Sequence, residues 1–154
     1  MPVVLNTSSL STFHRTECLV VLQRLFPRER FLVPNGVIGE FSARFAPPAF
    51  FERTNLDTRQ QKIAEAITGL SAGEREAIAL AKETDSLLIV DDGKARKKAK
   101  EMGVKVVGCL GIIRQAYVDC HIFKEERDRF IREGSLVSYW PNEVVEDVLR
   151  SQKP

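Results

Sequence analysis

Four short runs of apolar, mostly β-branched residues recur along the chain, and segments with a helical pattern separate them. The runs cover residues 3–5, 31–33, 87–90 and 104–107. Continuous apolar runs of this length are typical of strands that are buried on both faces, as in a parallel sheet. The alternation of strand and helix therefore predicts an α/β fold with a mostly parallel central sheet and right-handed crossovers.

The intervals between these runs carry helical periodicity. A first helix is predicted to follow Thr7 and to run through Leu22. Further helices are predicted over 36–45, 58–67, 73–83 and 94–102, and from about residue 110. The stretch 46–51 breaks the pattern and is predicted to be an exposed loop with at most a short irregular strand. One or two closing helices are expected from residue 122 onward.

The length of 154 residues fits one domain, residues 1–154, in which 122–154 form a C-terminal helical extension. A net charge of +2 does not by itself predict a nucleic-acid partner. Three scattered cysteines without a CxxC motif favour reduced thiols, as in a cytoplasmic protein. A signal peptide and a membrane-spanning run are both missing from the pattern, so no membrane association is expected.

Polar residues follow two of the predicted strands. In open parallel sheets ligands bind beyond the carboxyl ends of the strands; Asn6 and Thr7 follow the first strand, and Asp91 and Asp92 follow the third. Two adjacent carboxylates repel each other if they are buried, and a divalent cation relieves that cost. The structural alternative is that Asp92 caps the next helix and Asp91 is merely exposed.

Two glutamates on predicted helices are further candidates. Glu74 heads a buried helical stripe, whereas Glu76 is predicted to point away into solvent. The alternative for Glu74 is a capping box with Ser71. Glu40 lies beside the apolar face of its helix, and its alternative is a surface carboxylate. The apolar face beside Glu40 consists of Val37, Ile38, Phe41 and Phe45. Glu40, Glu74, Asp91 and Asp92 are thus expected to converge at one rim of the sheet.

The segment 94–100 carries five positive charges in one predicted helix. A basic helix beside an acidic site suits a phosphate-backbone substrate, so Lys94, Arg96 and Lys97 are candidate nucleic-acid contacts. The alternative is a solvated helix face. The sequence has no Walker A loop, no GxGxxG motif and no GxSxG elbow, which argues against nucleotide-triphosphate, dinucleotide and serine-hydrolase enzymes.

Four segments resemble motifs of the PIN-domain family. They are VVLNTSSL (3–10), VPNGVIGEF (33–41), LSAGEREAIALA (70–81), and LIVDDGKAR with GVKVVGCLGI (88–96 and 103–112). The last two are similar to a bacterial and archaeal branch of predicted nucleic-acid-binding PIN proteins that is related to VapC-type toxins. The resemblance runs from Val3 to about Ile122.

The resemblance implies a three-layer α/β/α fold and a ribonuclease that depends on Mg²⁺ or Mn²⁺. By the same resemblance Glu40, Glu74 and Asp92 are the core catalytic and metal-binding acids, Asp91 is an auxiliary one, and Thr7 places a hydroxyl near the metal. Most PIN nucleases have aspartate where this chain has Asn6. An amide oxygen can bind a metal but brings no charge, which predicts weaker metal binding at this position.

Three functions follow as hypotheses. The first is a metal-dependent endoribonuclease that acts on RNA as the toxin of a toxin–antitoxin pair, with a cognate antitoxin and a homodimeric assembly. The second is a catalytically weak or inactive PIN-fold module that binds RNA or a protein. The third, a receiver-like phosphoacceptor, needs an acidic pair after the first strand, where this chain has Asn6.

Overall fold

The structure is a computed structural model that describes residues 1–42, 46 and 48–153. The chain divides into two compact units. The first unit comprises Met1–Leu10 and Glu29–Val107, and the second comprises Ser11–Arg28 and the chain from Gly108 onward. All the candidate catalytic and metal-binding residues belong to the first unit.

The first unit is built on a parallel sheet. In the described part of the chain its strands are β1 (Val3–Leu5), β2 (Phe31–Pro34), β3 (Phe51–Thr54), β4 (Leu87–Ile89) and β5 (Lys105–Val107). Their order is β3-β2-β1-β4-β5, and all four pairings are parallel. This confirms the predicted α/β class. The chain moves outward from β1 to β3 and then returns to the other side of β1, so the topological switch point lies between β1 and β4.

The helices alternate with these strands. The chain continues from β1 into α1 (Thr7–Arg15), of which residues 7–10 belong to the first unit and 11–15 to the second. The other helices of the first unit are α3 (Asn35–Ser42), α4 (Thr58–Ala66), α5 (Ala72–Glu83) and α6 (Gly93–Glu101). The second unit carries α2 (Leu19–Leu25), α7 (Cys109–Val118), α8 (Lys124–Gly134) and α9 (Asn142–Leu149). In the described ranges, no helix is long and apolar enough to cross a bilayer.

Helix α5 packs on the middle of the sheet. Its residues Ala77, Ile78 and Ala81 are buried in one cluster with Val4 of β1 and Leu88 of β4. Burial of such apolar side chains is the main favourable term that fixes a helix on a sheet. Because α5 runs antiparallel to the strands in a βαβ unit, its first turn lies at the carboxyl edge of the sheet.

One sequence prediction about a chain segment is wrong, and one strand was not predicted. The first predicted helix is broken, because Glu17 has a φ of 57° and the Thr16 hydroxyl donates to the carbonyl oxygen of Thr12. Within the predicted loop 46–51, Ala49 and Phe50 form a turn as expected, and β3 begins at Phe51 and pairs regularly with β2 up to Thr54, a strand that the sequence did not predict. β3 is an edge strand and its polar Glu52 is exposed, so it lacks the apolar continuity of the inner strands. Phe45, predicted on the apolar face of α3, lies outside the described residues.

An aromatic cluster forms the core of the second unit. The rings of Phe13 and Phe130 lie 5.4 Å apart, and Phe130 stacks on Trp140 at 5.5 Å. A Cβ atom at Gly134 would lie 2.2 Å from the Trp140 ring, so only glycine fits there. Offset aromatic pairs of this kind add to the stabilisation that burial provides.

A buried arginine connects the C-terminal segment of the second unit to its other helices. Arg127 is 2% exposed, and its guanidinium donates to Asp128 Oδ1 and to the carbonyl oxygens of Val148 and Ser151. It also lies 4.4 Å from the centre of the Tyr117 ring. A cation at the C-terminal end of α9 satisfies carbonyls that have no partner within the helix. Arg127 therefore fastens the chain after α9 onto α7 and α8.

Candidate active site

Glu40 of α3 joins the first turns of two helices. The Thr7 hydroxyl, at the start of α1, donates to Glu40 Oε2 at 2.5 Å. The backbone N–H of Gly73, in the first turn of α5, donates to Glu40 Oε1 at 3.1 Å. A carboxylate at a helix N-terminus is stabilised by unpaired N–H groups and by the helix dipole. Both oxygens of Glu40 are thereby oriented at the carboxyl edge of the sheet.

Gly73 permits this close approach. A Cβ atom at this position would lie 2.8 Å from Glu40 Oε2 and 3.0 Å from Thr7 Oγ1. Real Cβ contacts are essentially never shorter than 3.0 Å, so any larger residue must displace the carboxylate.

Replacing Gly73 by alanine is expected to lower the free energy of unfolding by about 1 kcal/mol, because the new methyl group displaces the end of the exposed Glu40 side chain and breaks its hydrogen bond with the N–H of residue 73. Urea unfolding followed by circular dichroism measures the change. Gly39→Ala in α3 is the matched control, since no described atom lies within 4 Å of its added Cβ. Alanine should stabilise that helix by about 0.5–1 kcal/mol. Equal stabilities for the two variants would contradict the steric role of Gly73.

Glu74 follows directly and has an incompletely satisfied carboxylate. Its Oε1 accepts from the Ser71 hydroxyl at 2.9 Å, and its N–H donates to the same hydroxyl oxygen at 3.3 Å. Ser71 thus caps α5, which realises the N-cap half of the capping-box alternative. The Glu74 carboxylate accepts from the Ser71 hydroxyl in place of the Ser71 N–H. The other oxygen, Oε2, is buried and has no hydrogen-bond partner among the described residues. A buried carboxylate oxygen without a partner is costly unless a proton or a cation joins it.

Asn6 lies at the carboxyl end of β1, next to the switch point. It is 1% exposed, and its Oδ1 accepts from the backbone N–H of Ser9 at 3.0 Å. The side chain therefore caps the first turn of α1. A carbonyl oxygen has two lone pairs, so this bond leaves one acceptor site on Oδ1.

The aspartates at the end of β4 have different surroundings. Leu5 pairs with Ile89, so the chain after β4 lies beside the chain after β1. Asp91 is half-buried there, and Asp92 is exposed. Asp92 Oδ2 accepts from the N–H of Ala95 at 2.9 Å and caps α6. The helix-cap alternative for Asp92 is therefore realised, and it occupies one of the two carboxylate oxygens.

The basic candidates on α6 also differ from one another. Arg96 Nη1 donates to the carbonyl oxygen of Val90 at 3.1 Å, which ties its guanidinium to the end of β4. Lys94 and Lys97 are exposed. The roles of all three in nucleic-acid binding stay predictions.

Glu76 shows a second wrong prediction. It is half-buried, and its Oε2 accepts from the backbone N–H of Gly36 at 2.6 Å rather than facing solvent. This bond links α5 to the first turn of α3, the helix that carries Glu40. Glu76 therefore helps to orient Glu40, which helical periodicity within α5 alone did not indicate.

The donor atoms are of the type that a divalent ion prefers, but they do not form a preformed cage around one. Within the described ranges, no three carboxylate, imidazole or thiol groups lie close enough together to hold a metal by themselves. Mg²⁺ is commonly held by one or two carboxylates together with substrate phosphates. The buried, unpartnered oxygen of Glu74 and the oriented carboxylate of Glu40 fit that mode of binding.

Sequence reasoning named Thr7, Glu40 and Glu74 as candidates but did not predict the contacts between them or the part played by Gly73. Thr7, Glu40 and Gly73 are brought together by hydrogen bonds between segments far apart in the chain. Gly73 had no signal beyond a glycine in the first turn of a helix. The cap formed by Asn6 did have one, because asparagine just before a helical pattern is a frequent N-cap.

The comparisons with known proteins agree with this fold. The family model DUF3368, described as PIN domain, matches residues 2–153. A solved structure of SSO1118, a PilT N-terminus domain protein from the hyperthermophilic archaeon Sulfolobus solfataricus P2, is similar in fold. The TM-score is 0.52 at 20% sequence identity, over 75% of this chain and 93% of that chain. No curated protein matches.

Proposed function

The chain belongs to the PIN domain family, whose fold is of the nuclease type, and from this premise we propose that it hydrolyses phosphodiester bonds of RNA with a divalent metal ion. One observation carries the proposal. The carboxylate of Glu40 is oriented by the Thr7 hydroxyl and the Gly73 N–H, one residue before Glu74 with its buried, unpartnered oxygen. Both acids lie at the carboxyl edge of a doubly wound sheet, where such folds bind ligands.

The residues that would hold the ion are Glu40, Glu74 and Asp91, with Asp92 and the amide oxygen of Asn6 as further donors. The resemblance gave Asp92 the larger role, but Asp92 is exposed and one of its oxygens caps α6, so we assign that role to Asp91. A bound Mg²⁺ or Mn²⁺ supplies Lewis-acid chemistry, which lowers the pKa of water and stabilises negative charge on the phosphate. The hydroxyl of Thr7 keeps Glu40 in one orientation, which limits the reorganisation needed when substrate arrives. The N-terminus of α5 adds positive potential beside the scissile phosphate.

The proposal also includes a biological role. We propose that the protein acts in the cytoplasm as the toxin of a toxin–antitoxin pair, as a homodimer. Its antitoxin would be a small protein encoded in the neighbouring reading frame that covers the acidic edge, by which we mean the edge of the sheet with Glu40, Glu74, Asp91 and Asp92. The support for this role is the resemblance of 70–81 and 88–112 to proteins related to VapC-type toxins.

A second candidate is a PIN-fold module that binds RNA or a protein without cutting. Two observations favour it. Asn6 brings no charge and already caps α1 through Ser9, and no group of three potential ligands lies together among the described residues. The two candidates differ in one measurable property, namely RNA cleavage that depends on added metal.

The test compares the natural protein with Asn6→Asp in a cleavage assay on single-stranded RNA with MnCl₂ or with EDTA. We expect cleavage only with Mn²⁺. The aspartate keeps an acceptor for the Ser9 N–H and adds a charge next to the switch point. It should therefore lower the Mn²⁺ concentration needed for half-maximal cleavage by about tenfold or more.

Asn142→Asp is the control, because it adds the same charge at an exposed position at the start of α9. It should leave the metal dependence unchanged. Cleavage that persists in EDTA would point to a contaminating nuclease and would argue against the proposal. Failure of both proteins to cleave at any metal concentration would favour the binding module.

A further inference from the structure

A groove lined by lysines runs along α6. It has a volume of about 290 Å³. Its lining residues are Thr68, Gly69, Leu70, Lys94, Lys97, Lys98 and Glu101. This lysine groove lies entirely within the first unit.

The lysine groove carries uncompensated positive charge. Lys94, Lys97 and Lys98 are spaced by three and four residues, so they share one face of α6. In the described part of the chain their ammonium groups make no hydrogen bond or ion pair. Glu101, at the opposite end of the helix from Lys94, is the one acidic residue of the lining. Three like charges along one wall repel each other unless an anion joins them.

Both walls of the groove begin at the acidic edge. The helix wall starts at Gly93, directly after Asp91 and Asp92 at the end of β4. The opposite wall, 68–70, directly precedes Ser71, whose hydroxyl holds Glu74. A strand that lies in the groove therefore leads to the edge where Glu40 and Glu74 are placed.

We infer that the lysine groove binds the sugar–phosphate backbone of single-stranded RNA and guides it to the acidic edge, an inference that rests on the proposed function. Lysine binds phosphate as a point charge without reading sequence. Lys94 and Lys98 are one helical turn apart, about 6 Å along the axis, so they contact neighbouring phosphates of one strand. Among the described residues of the lining, Leu70 has the sole apolar side chain, which disfavours an apolar peptide as the occupant.

The experiment compares two triple variants with the same change in net charge. K94A/K97A/K98A removes the groove lysines. K62A/K100A/K105A removes three exposed lysines that do not line the groove. A fluorescein-labelled single-stranded RNA of mixed sequence is titrated in EDTA, so that binding is measured without cleavage, and the titration is repeated over a series of KCl concentrations.

We expect the groove variant to bind the RNA about tenfold more weakly or worse. The slope of the logarithm of the association constant against the logarithm of the salt concentration should also become shallower by about 2, because each phosphate contact to a single strand contributes about 0.7. The control variant should lose less than about threefold, through long-range charge alone. Melting curves check that both variants fold, which is expected because alanine favours helix.

If the two variants lose the same RNA affinity, the inference is overturned, because the net charge of the protein would then account for the whole effect. If the groove variant loses affinity for a duplex RNA to the same extent as for the single strand, the assignment to single-stranded RNA is overturned. If the groove variant cleaves with unchanged KM while the natural protein is an active nuclease, the groove is wrong and the proposed function stands. If the natural protein neither binds nor cleaves RNA, the proposed function fails, and the groove assignment fails with it.

Discussion

Replacing Glu74 by glutamine is expected to lower the kcat of Mn²⁺-dependent RNA cleavage at least about 100-fold. The melting temperature should stay equal or rise. The reason is that Glu74 Oε2 is buried without a hydrogen bond among the described residues, so the charge destabilises the metal-free protein. Glutamine removes that charge and also removes a metal ligand. Cleavage kinetics with MnCl₂ and a thermal melt in EDTA measure the two effects.

The control for this substitution is Glu65→Gln, which removes the same charge from an exposed position on α4. It should change neither quantity. Binding of single-stranded RNA in EDTA should also survive in Glu74→Gln, because the carboxylate does not attract phosphate. Full cleavage by Glu74→Gln would show that the unpartnered oxygen has no part in catalysis. A large fall in melting temperature would instead mark Glu74 as a structural residue.

Replacing Arg127 by alanine is expected to lower the free energy of unfolding by about 2–4 kcal/mol. The substitution removes one donor each from the carbonyl oxygens of Val148 and Ser151 and takes the guanidinium from the face of Tyr117. The Val148 carbonyl oxygen keeps the bond from the Ser151 N–H. Urea unfolding followed by tryptophan fluorescence is suitable, because Trp140 lies in the same unit.

Two comparisons make this result specific. Arg132→Ala removes an exposed arginine from the same helix and should change stability by less than about 0.5 kcal/mol. Arg127→Lys keeps the charge but cannot reach Asp128 and both carbonyl oxygens, so it should recover only part of the loss. Equal stability of Arg127→Ala and Arg132→Ala would show that the guanidinium does not fasten the chain after α9.

The fold follows from the sequence wherever a strand is apolar throughout. β1, β2 and β4 are buried on both faces, and their continuous apolar runs were sufficient to predict them. β3 was missed because it is an edge strand with the polar sequence FERT, which looks like a loop. Its pairing with β2 depends on tertiary contacts that no local pattern contains.

The sequence can indicate which residues are candidates for the site, but it does not predict their contacts with one another. Position relative to strands and helices selected Glu40 and Glu74, since the carboxyl ends of parallel strands share one edge. The contacts of Glu40 with Thr7 and Gly73 join segments more than thirty residues apart. Such contacts depend on the order of the strands in the sheet, and helical periodicity within one segment cannot supply that order.

The pairing of β1 with β4 has a consequence for the timing of synthesis. Val3 lies opposite Leu87, so this pairing joins the most distant partners in the described sheet. Contacts between distant segments form late, because the intervening loop must first close. A ribosome must therefore translate and release the chain beyond Ile89 before the cleft between these strands exists. If the protein cleaves RNA as proposed, fragments that end before Ile89 lack this cleft and should not cleave.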